Sequence, residues 1–129
     1  MTPTIPVSWG ELFDKITILE IKSSRILDPL KKTNVAKELQ KLTESVQLCG
    51  YVASPESKKT ISGLKEINEA LWAIEDEIRE CERQKDFGPR FIELARSVYV
   101  QNDLRASLKR RINVLLNSEL IEEKSYQGY

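Results

Sequence analysis

Leu64, Ile67, Leu71, Ile74, Ile78 and Cys81 follow one another at alternating steps of three and four residues. That spacing lays six apolar side chains along one stripe of a helix about five turns long. It is the seam of a coiled coil or an antiparallel helical bundle, and a seam that long needs a partner of similar length. The next segment supplies one. Asp86-Phe87-Gly88-Pro89 breaks the chain, and Phe91, Leu94, Val98, Leu108, Ile112 and Leu115 then mark the inward side of a helix over about 89–116. The two helices, about 56–84 and 89–116, are expected to fold back as an αα-hairpin.

Charge patterning supports the pairing. Between residues 60 and 82 the acids Glu66, Glu69, Glu75, Asp76, Glu77, Glu80 and Glu82 outnumber Lys65 and Arg79, a net charge of −5. Between 83 and 111, Arg83, Lys85, Arg90, Arg96, Arg105, Lys109, Arg110 and Arg111 outnumber Asp86, Glu93 and Asp103, a net charge of +5. A turn centred near Phe87 would set Glu69 against Arg105 and Glu66 against Lys109. Each such exposed pair is worth about 0.2–1 kcal/mol, enough to favour one pairing over another.

Upstream, Ser8 followed by Glu11 reads as a capping box, and Val7 with Leu12 as a hydrophobic staple. A first helix is expected from about Trp9 to Leu27, with Leu12, Phe13, Ile16, Leu19 and Ile26 inward. Asp28-Pro29 ends it, because the residue before proline is pushed out of the α region. A second helix should run from Leu30 or Asn34 to Leu48, on the stripe Val35, Leu39, Leu42, Val46 and Cys49, with Gly50 as its terminating glycine. A loop over 50–58 follows. A short last turn or helix over about 118–124, capped by Ser118, would precede the tail. No window shows the period-two alternation of a half-buried strand. The fold class is all-α: a helical bundle built on a long antiparallel helical hairpin, with a shorter N-terminal helix pair, over one domain, 1–129.

Composition narrows the chemistry. Twenty basic and twenty acidic residues cancel, and histidine is absent. Zero net charge argues against a generally basic nucleic-acid or membrane-surface protein. Without histidine there is no Ser-His-Asp or Cys-His triad and no imidazole metal ligand. Cys49 and Cys81 form no CxxC pair, and both fall on apolar stripes, so both are expected as buried thiols. Sparse cysteine and no signal peptide point to the cytoplasm.

The basic helix carries a defect. Its seam reads Leu94, Val98, Gln101, Arg105, Leu108, Ile112, with Asn102 alongside. A buried unpaired arginine is very costly, so Arg105 must be paired, hydrated or facing a ligand. Glu11, Asp14, Lys15, Glu20 and Lys22 crowd the first helix, either as a solvated face or as part of the same polar layer. Several chemistries can be written on these residues. Glu11-x-x-Asp14 and Glu66-x-x-Glu69 place carboxylate pairs on single helical faces, and two such helices could hold Mg²⁺ for phosphate chemistry. All-α nucleotide pyrophosphohydrolases of the MazG type use this logic, but with the motifs in the opposite order. Arg105, Lys109, Asn102 and Lys15 could hold a carboxylate substrate. Lys109-Arg110-Arg111 could touch nucleic acid, though the acidic helix cancels its field and no aromatic interleaving accompanies it. Trp9, Trp72, Tyr99, Tyr126 and Tyr129 suit a docking surface or the core.

In combination, several blocks resemble a family of short bacterial all-helical proteins, a domain of unknown function. They are Gly10-Glu-Leu-Phe-Asp-Lys-Ile-Thr-Ile-Leu-Glu-Ile-Lys22, Leu71-Trp-Ala-Ile-Glu-Asp-Glu-Ile-Arg79, Asp86-Phe-Gly-Pro-Arg-Phe91, Leu94-Ala-Arg-Ser-Val-Tyr99, Asn102-Asp-Leu-Arg-Ala106, Leu108-Lys-Arg-Arg-Ile-Asn113 and Glu122-Glu-Lys-Ser-Tyr126. The resemblance implies an all-α cytoplasmic protein and an association with surface-polysaccharide genes. It carries over no catalytic residue. The expectation is an accessory, binding or interaction module, linked to glycan metabolism, with a polar ligand site at Glu11, Asp14, Lys15, Glu69, Asn102, Arg105, Lys109, Lys124 and Tyr126. No cofactor is expected. The alternative is a Mg²⁺-dependent enzyme on a nucleotide or phosphorylated substrate, with Glu11, Asp14, Glu66 and Glu69 as ligands. A homodimer or another protein partner is expected, and neither nucleic acid nor membrane.

Overall fold

The computed structural model describes residues 1–129. Four helices follow one another: α1 (Trp9–Arg25), α2 (Pro29–Leu48), α3 (Pro55–Gln84) and α4 (Pro89–Leu115). There is no strand. α2, α3 and α4 each begin on a proline, whose missing N–H costs nothing in the first turn. Asp28 and Ser54 cap α2 and α3 with their side chains. α2 therefore starts at Pro29 rather than later, because the proline that ends one helix opens the next.

The helix ends matter as much as the starts. Gly50, Lys85 and Asn117 all have positive φ, and each follows a helix end. In each case the next residue's N–H reaches back five residues: Tyr51 to Val46, Asp86 to Cys81 and Ser118 to Asn113. These are Schellman turns, which satisfy terminal carbonyls and reverse the chain sharply. The expected helix over 118–124 is absent. Ser118 belongs instead to the turn that closes α4.

The three layers are α2, then α1, then the α3–α4 hairpin. α1 packs on all three other helices, and α2 approaches only α1. The core gathers Leu12, Phe13, Val46, Leu64 and Ile112 at the open end of the hairpin. Trp9, Phe13 and Tyr51 cluster there with ring centroids 5.0 to 6.0 Å apart, Trp9 stacked on Phe13 and Phe13 edge-on to Tyr51. Arg25 at the end of α1 lies 6.0 Å from the Trp72 ring. From Trp72 the hairpin runs about 18 Å further with no covering helix.

The hairpin register departs from the expected one. Glu77 pairs with Arg90, and Glu56 with Arg111. The αL turn at Lys85 begins the reversal before Phe87, and in both pairs the α4 partner lies one heptad, about two turns, nearer the turn than the expected register gives. Cys81 is buried as expected, but Cys49 is exposed, because α2 is already turning away at its C-cap.

Candidate functional site

The densest polar group lies where α1, α3 and α4 meet. Asp14 is on the inward side of α1, its side chain only 2% exposed. Arg105 grips it with both arms: Nε donates to Oδ1 at 2.9 Å and Nη2 to Oδ2 at 2.5 Å. Asn68 of α3 adds its amide to Oδ1 at 3.0 Å and to the Thr17 hydroxyl at 3.1 Å. This two-pronged geometry is the one in which a buried charge pair holds together. Burial pushes the Asp14 carboxyl up, but the hydrogen bonds from Arg105 and Asn68 and the charges of Arg105 and Lys109 outweigh it. The carboxyl is held below its ordinary value. Bonding to Asp14 raises Arg105 in turn, against the effect of burial.

One turn along α4, Lys109 bonds Glu11 at 2.7 Å and Glu122 at 2.8 Å. Burial lowers its affinity for a proton, and those carboxylates more than restore it. Glu122 is correspondingly lowered by its bond from Lys109. Lys15 stands at the exposed edge, 3.6 Å from Glu11.

The first turn of α1 is closed by other elements. Trp9 N–H donates to Ser118 Oγ at 3.2 Å, Gly10 N–H to Asn113 Oδ1 at 2.7 Å, and Glu11 N–H to Ser8 Oγ at 3.1 Å. A helix N-terminus normally leaves four such donors free. Here two are taken by the end of α4. The approach needs Gly10, since a Cβ there would overlap the Lys109 carbonyl.

Arg105 is not sealed. Its side chain is 30% exposed, and Nη1 makes one long bond to Asn102 at 3.4 Å. On that side the C-terminal segment runs back along α4. Glu122 and Glu123 bond Lys109 and Arg110, and Tyr129 donates to Asp103 at 2.6 Å. Tyr129 also packs on Tyr99, centroids 5.2 Å apart. Between segment and helix lies a cleft of about 700 Å³, lined by Tyr99, Asn102, Asp103, Lys124, Tyr126 and Tyr129 among others. The bond to Asp103 raises the Tyr129 hydroxyl's pKa.

The residues singled out in the sequence thus divide. Glu11, Asp14, Lys15, Arg105 and Lys109 share one ion-pair network, with Asn102 on its outer edge. Lys124 and Tyr126 line the cleft. Glu69 is exposed and does not meet Arg105; Asp14 does instead, because α1 fills the groove above the seam. Glu66 likewise does not meet Lys109. No three Asp, Glu or Cys side chains gather in a way that could hold a metal ion. The quartet Glu11, Asp14, Glu66 and Glu69 does not gather: Asp14 and Glu11 are paired with Arg105 and Lys109, and Glu66 and Glu69 are exposed on α3. Thr17, Asn68, Asn113, Gly10 and Glu122 were not picked out by charge or period. Asn68, Asn113 and Gly10 did carry a signal in another form, since asparagine and glycine are poor helix formers yet sit inside helical stretches, whereas Thr17 and Glu122 carried none.

A family model described as "Family of unknown function (DUF6165)" matches residues 4–129, and the chain belongs to that family. No curated protein and no solved structure matches the chain.

Proposed function

We propose that this member of DUF6165 is a small cytoplasmic binding module, and that its ligand seats in the cleft between α4 and the C-terminal segment. The observation that carries this reading is the unsealed side of Arg105. Asp14 fixes the guanidinium, Asn102 lies beside it, and a tyrosine-rich cleft of about 700 Å³ adjoins Asn102. Three tyrosines, two amides, a carboxylate and one ammonium are a sugar-binding set. Ring faces cover the C–H side of a pyranose, Asn102 and Asp103 meet hydroxyls, and Lys124 suits a phosphate. A phosphorylated sugar or nucleotide sugar is the ligand class, which connects the module to glycan metabolism. A homodimer is the expected assembly, with Ile92, Val100, Leu104 and Val114 on the outer side of α4 as apolar contact area.

The test is a thermal-shift series with sugar phosphates, nucleotide sugars and free nucleotides, each with and without Mg²⁺. A ligand at 100 times its Kd adds about 2.7 kcal/mol, a rise of several degrees for a domain this size. The rise should appear with the sugar-bearing compounds and vanish in Tyr126→Ala and Asn102→Ala. A flat series with every compound overturns the reading. A rise that needs Mg²⁺ and follows the nucleotide alone would favour the enzyme alternative.

A further inference from the structure

Residues 119–129 are attached to the rest of the protein by side chains alone. The root of this strap is fixed. α4 ends in the αL turn at Asn117, the Ser118 N–H reaches the Asn113 carbonyl at 2.8 Å, and Ser118 Oγ accepts from Trp9. Beyond Ser118 no backbone group bonds another backbone group, and every residue is exposed. Two latches hold the strap on α4. Glu122 and Glu123 accept from Lys109 and Arg110, and Tyr129 donates to Asp103 while its ring packs on Tyr99. Arg110 and Asp103 lie about 10 Å apart along the helix. The chain from Glu123 to Tyr129 can span about 20 Å when extended. The surplus bows outward, and the cleft is the space beneath it.

The cleft therefore exists only with the strap down. Tyr99, Asn102 and Asp103 belong to its fixed wall on α4, and Lys124, Tyr126 and Tyr129 to its movable one. Little holds that wall in place. Leu120 and Ile121 are 44% and 46% exposed, and Tyr126 and Tyr129 81% and 83%. Exposed ion pairs contribute little each and weaken with salt. Against them stands the conformational entropy lost in ordering the whole strap. Segments with few buried contacts and no backbone bonds lie at the low end of local stability, and lids are drawn from that end. Lys109 differs from the other anchors. Its side chain is only 12% exposed and is already held by Glu11, so Glu122 docks on a fixed ammonium rather than a mobile one.

We propose that residues 119–129 form a hinged lid, pivoting after Ser118 and latched by Lys109–Glu122 and Asp103–Tyr129, which opens to admit a ligand and closes to complete the cleft. What the lid encloses rests on the sugar-binding reading above; its latching does not. Open and closed forms coexist in the free protein, and a ligand that touches both walls shifts them toward the closed one. Apparent affinity then follows the closed fraction, so Glu122 governs binding from outside the cleft.

Trypsin cleavage after Lys124, followed by mass spectrometry on the full chain without ligand, reads the open form. A synthetic peptide of residues 119–129 gives the rate for a strap that never docks. The protein should be cut several times more slowly than the peptide. Glu122→Gln, compared with a peptide carrying the same change, should lose up to about fivefold of that protection, the worth of one such pair. Glu122 is exposed, and a circular-dichroism melt confirms that the variant folds. Cleavage of the parent at the peptide rate, or unchanged protection in Glu122→Gln, overturns the lid. A sugar phosphate that raises the melting midpoint should slow cleavage and should bind Glu122→Gln more weakly. Equal affinity for parent and Glu122→Gln overturns the coupling of lid to cleft. Latch-dependent protection with a flat ligand series supports the lid and overturns only the sugar-binding reading.

Discussion

At the scale of single residues, Asp14 and Arg105 are the pair on which the interior depends. A carboxylate 2% exposed is tolerable only while its counter-charge is present. Arg105→Met should lower stability by about 3 kcal/mol in denaturant unfolding, and a double-mutant cycle with Asp14→Asn should show coupling above about 1 kcal/mol. Independent, additive effects would mean that the two-pronged contact does not hold in solution. Asn113 makes a smaller but distinct contribution. Replacing it with alanine leaves the buried N–H of Gly10 without an acceptor, which costs about 1–3 kcal/mol. Arg105 was legible as a misfit in an apolar seam. Its partner was not, because Asp14 is more than ninety positions away in sequence and looks, by charge alone, like any other acid on a solvated helix face.

At the scale of elements, the crossing of α1 over α4 is the tightest contact. Gly10 permits it, and Gly10→Ala pits two effects against each other. Alanine gains about 1 kcal/mol in helix propensity. Its Cβ collides with the backbone carbonyl of Lys109, which cannot swing aside as a side chain would. Overpacking of this kind costs about 1–3 kcal/mol, so the variant should be less stable, with a lower melting midpoint. A midpoint at or above the parent would show that the helices can separate freely. The hairpin itself was readable from the seam and from the segregation of acids and bases. Its register was not. A heptad seam looks alike after a slide of one heptad, and the αL residue at the turn is Lys85, a type with no local preference for that conformation.

At the scale of the whole molecule, stability should depend on pH through the polar layer at both extremes. Asp14 is depressed in the folded state, so its contribution is present above its ordinary value of 3.8 and is lost as pH falls through the depressed one. Lys109 is raised, so its contribution is full below its ordinary value of 10.5 and is lost as pH rises through the elevated one. Urea midpoints should therefore hold steady near neutrality and fall on the acid side below about pH 4. Asp14→Asn should start lower and show a shallower acid limb. An acid limb of the same depth in that variant would assign the transition to other carboxylates. Self-association belongs to this scale too: light scattering should give twice the 14.8 kDa chain mass, and Leu104→Glu should reduce it to one. A monomer at micromolar concentration would remove the homodimer.

Local sequence determined the parts of this protein that depend on neighbours a few residues apart. Ser8 and Asp28 as caps, the prolines that open helices and the apolar stripes on all four helices are short-range effects, since capping bonds and helical periodicity act within one or two turns. Tertiary structure alone decided which side chains meet. Ser118 looked like the cap of a following helix and caps α1 instead. Glu69 looked like the partner of Arg105 and lost that place to Asp14. Cys49 looked buried and is exposed. In each case the packing of α1 or α2 chose among options that the local sequence left equal in energy, because a polar group is satisfied as well by one good partner as by another. The exposure of Leu30 and Leu48 on α2 is a product of the same choice. These leucines could have been core in another packing, and they are surface because α2 rests on α1 by its other side.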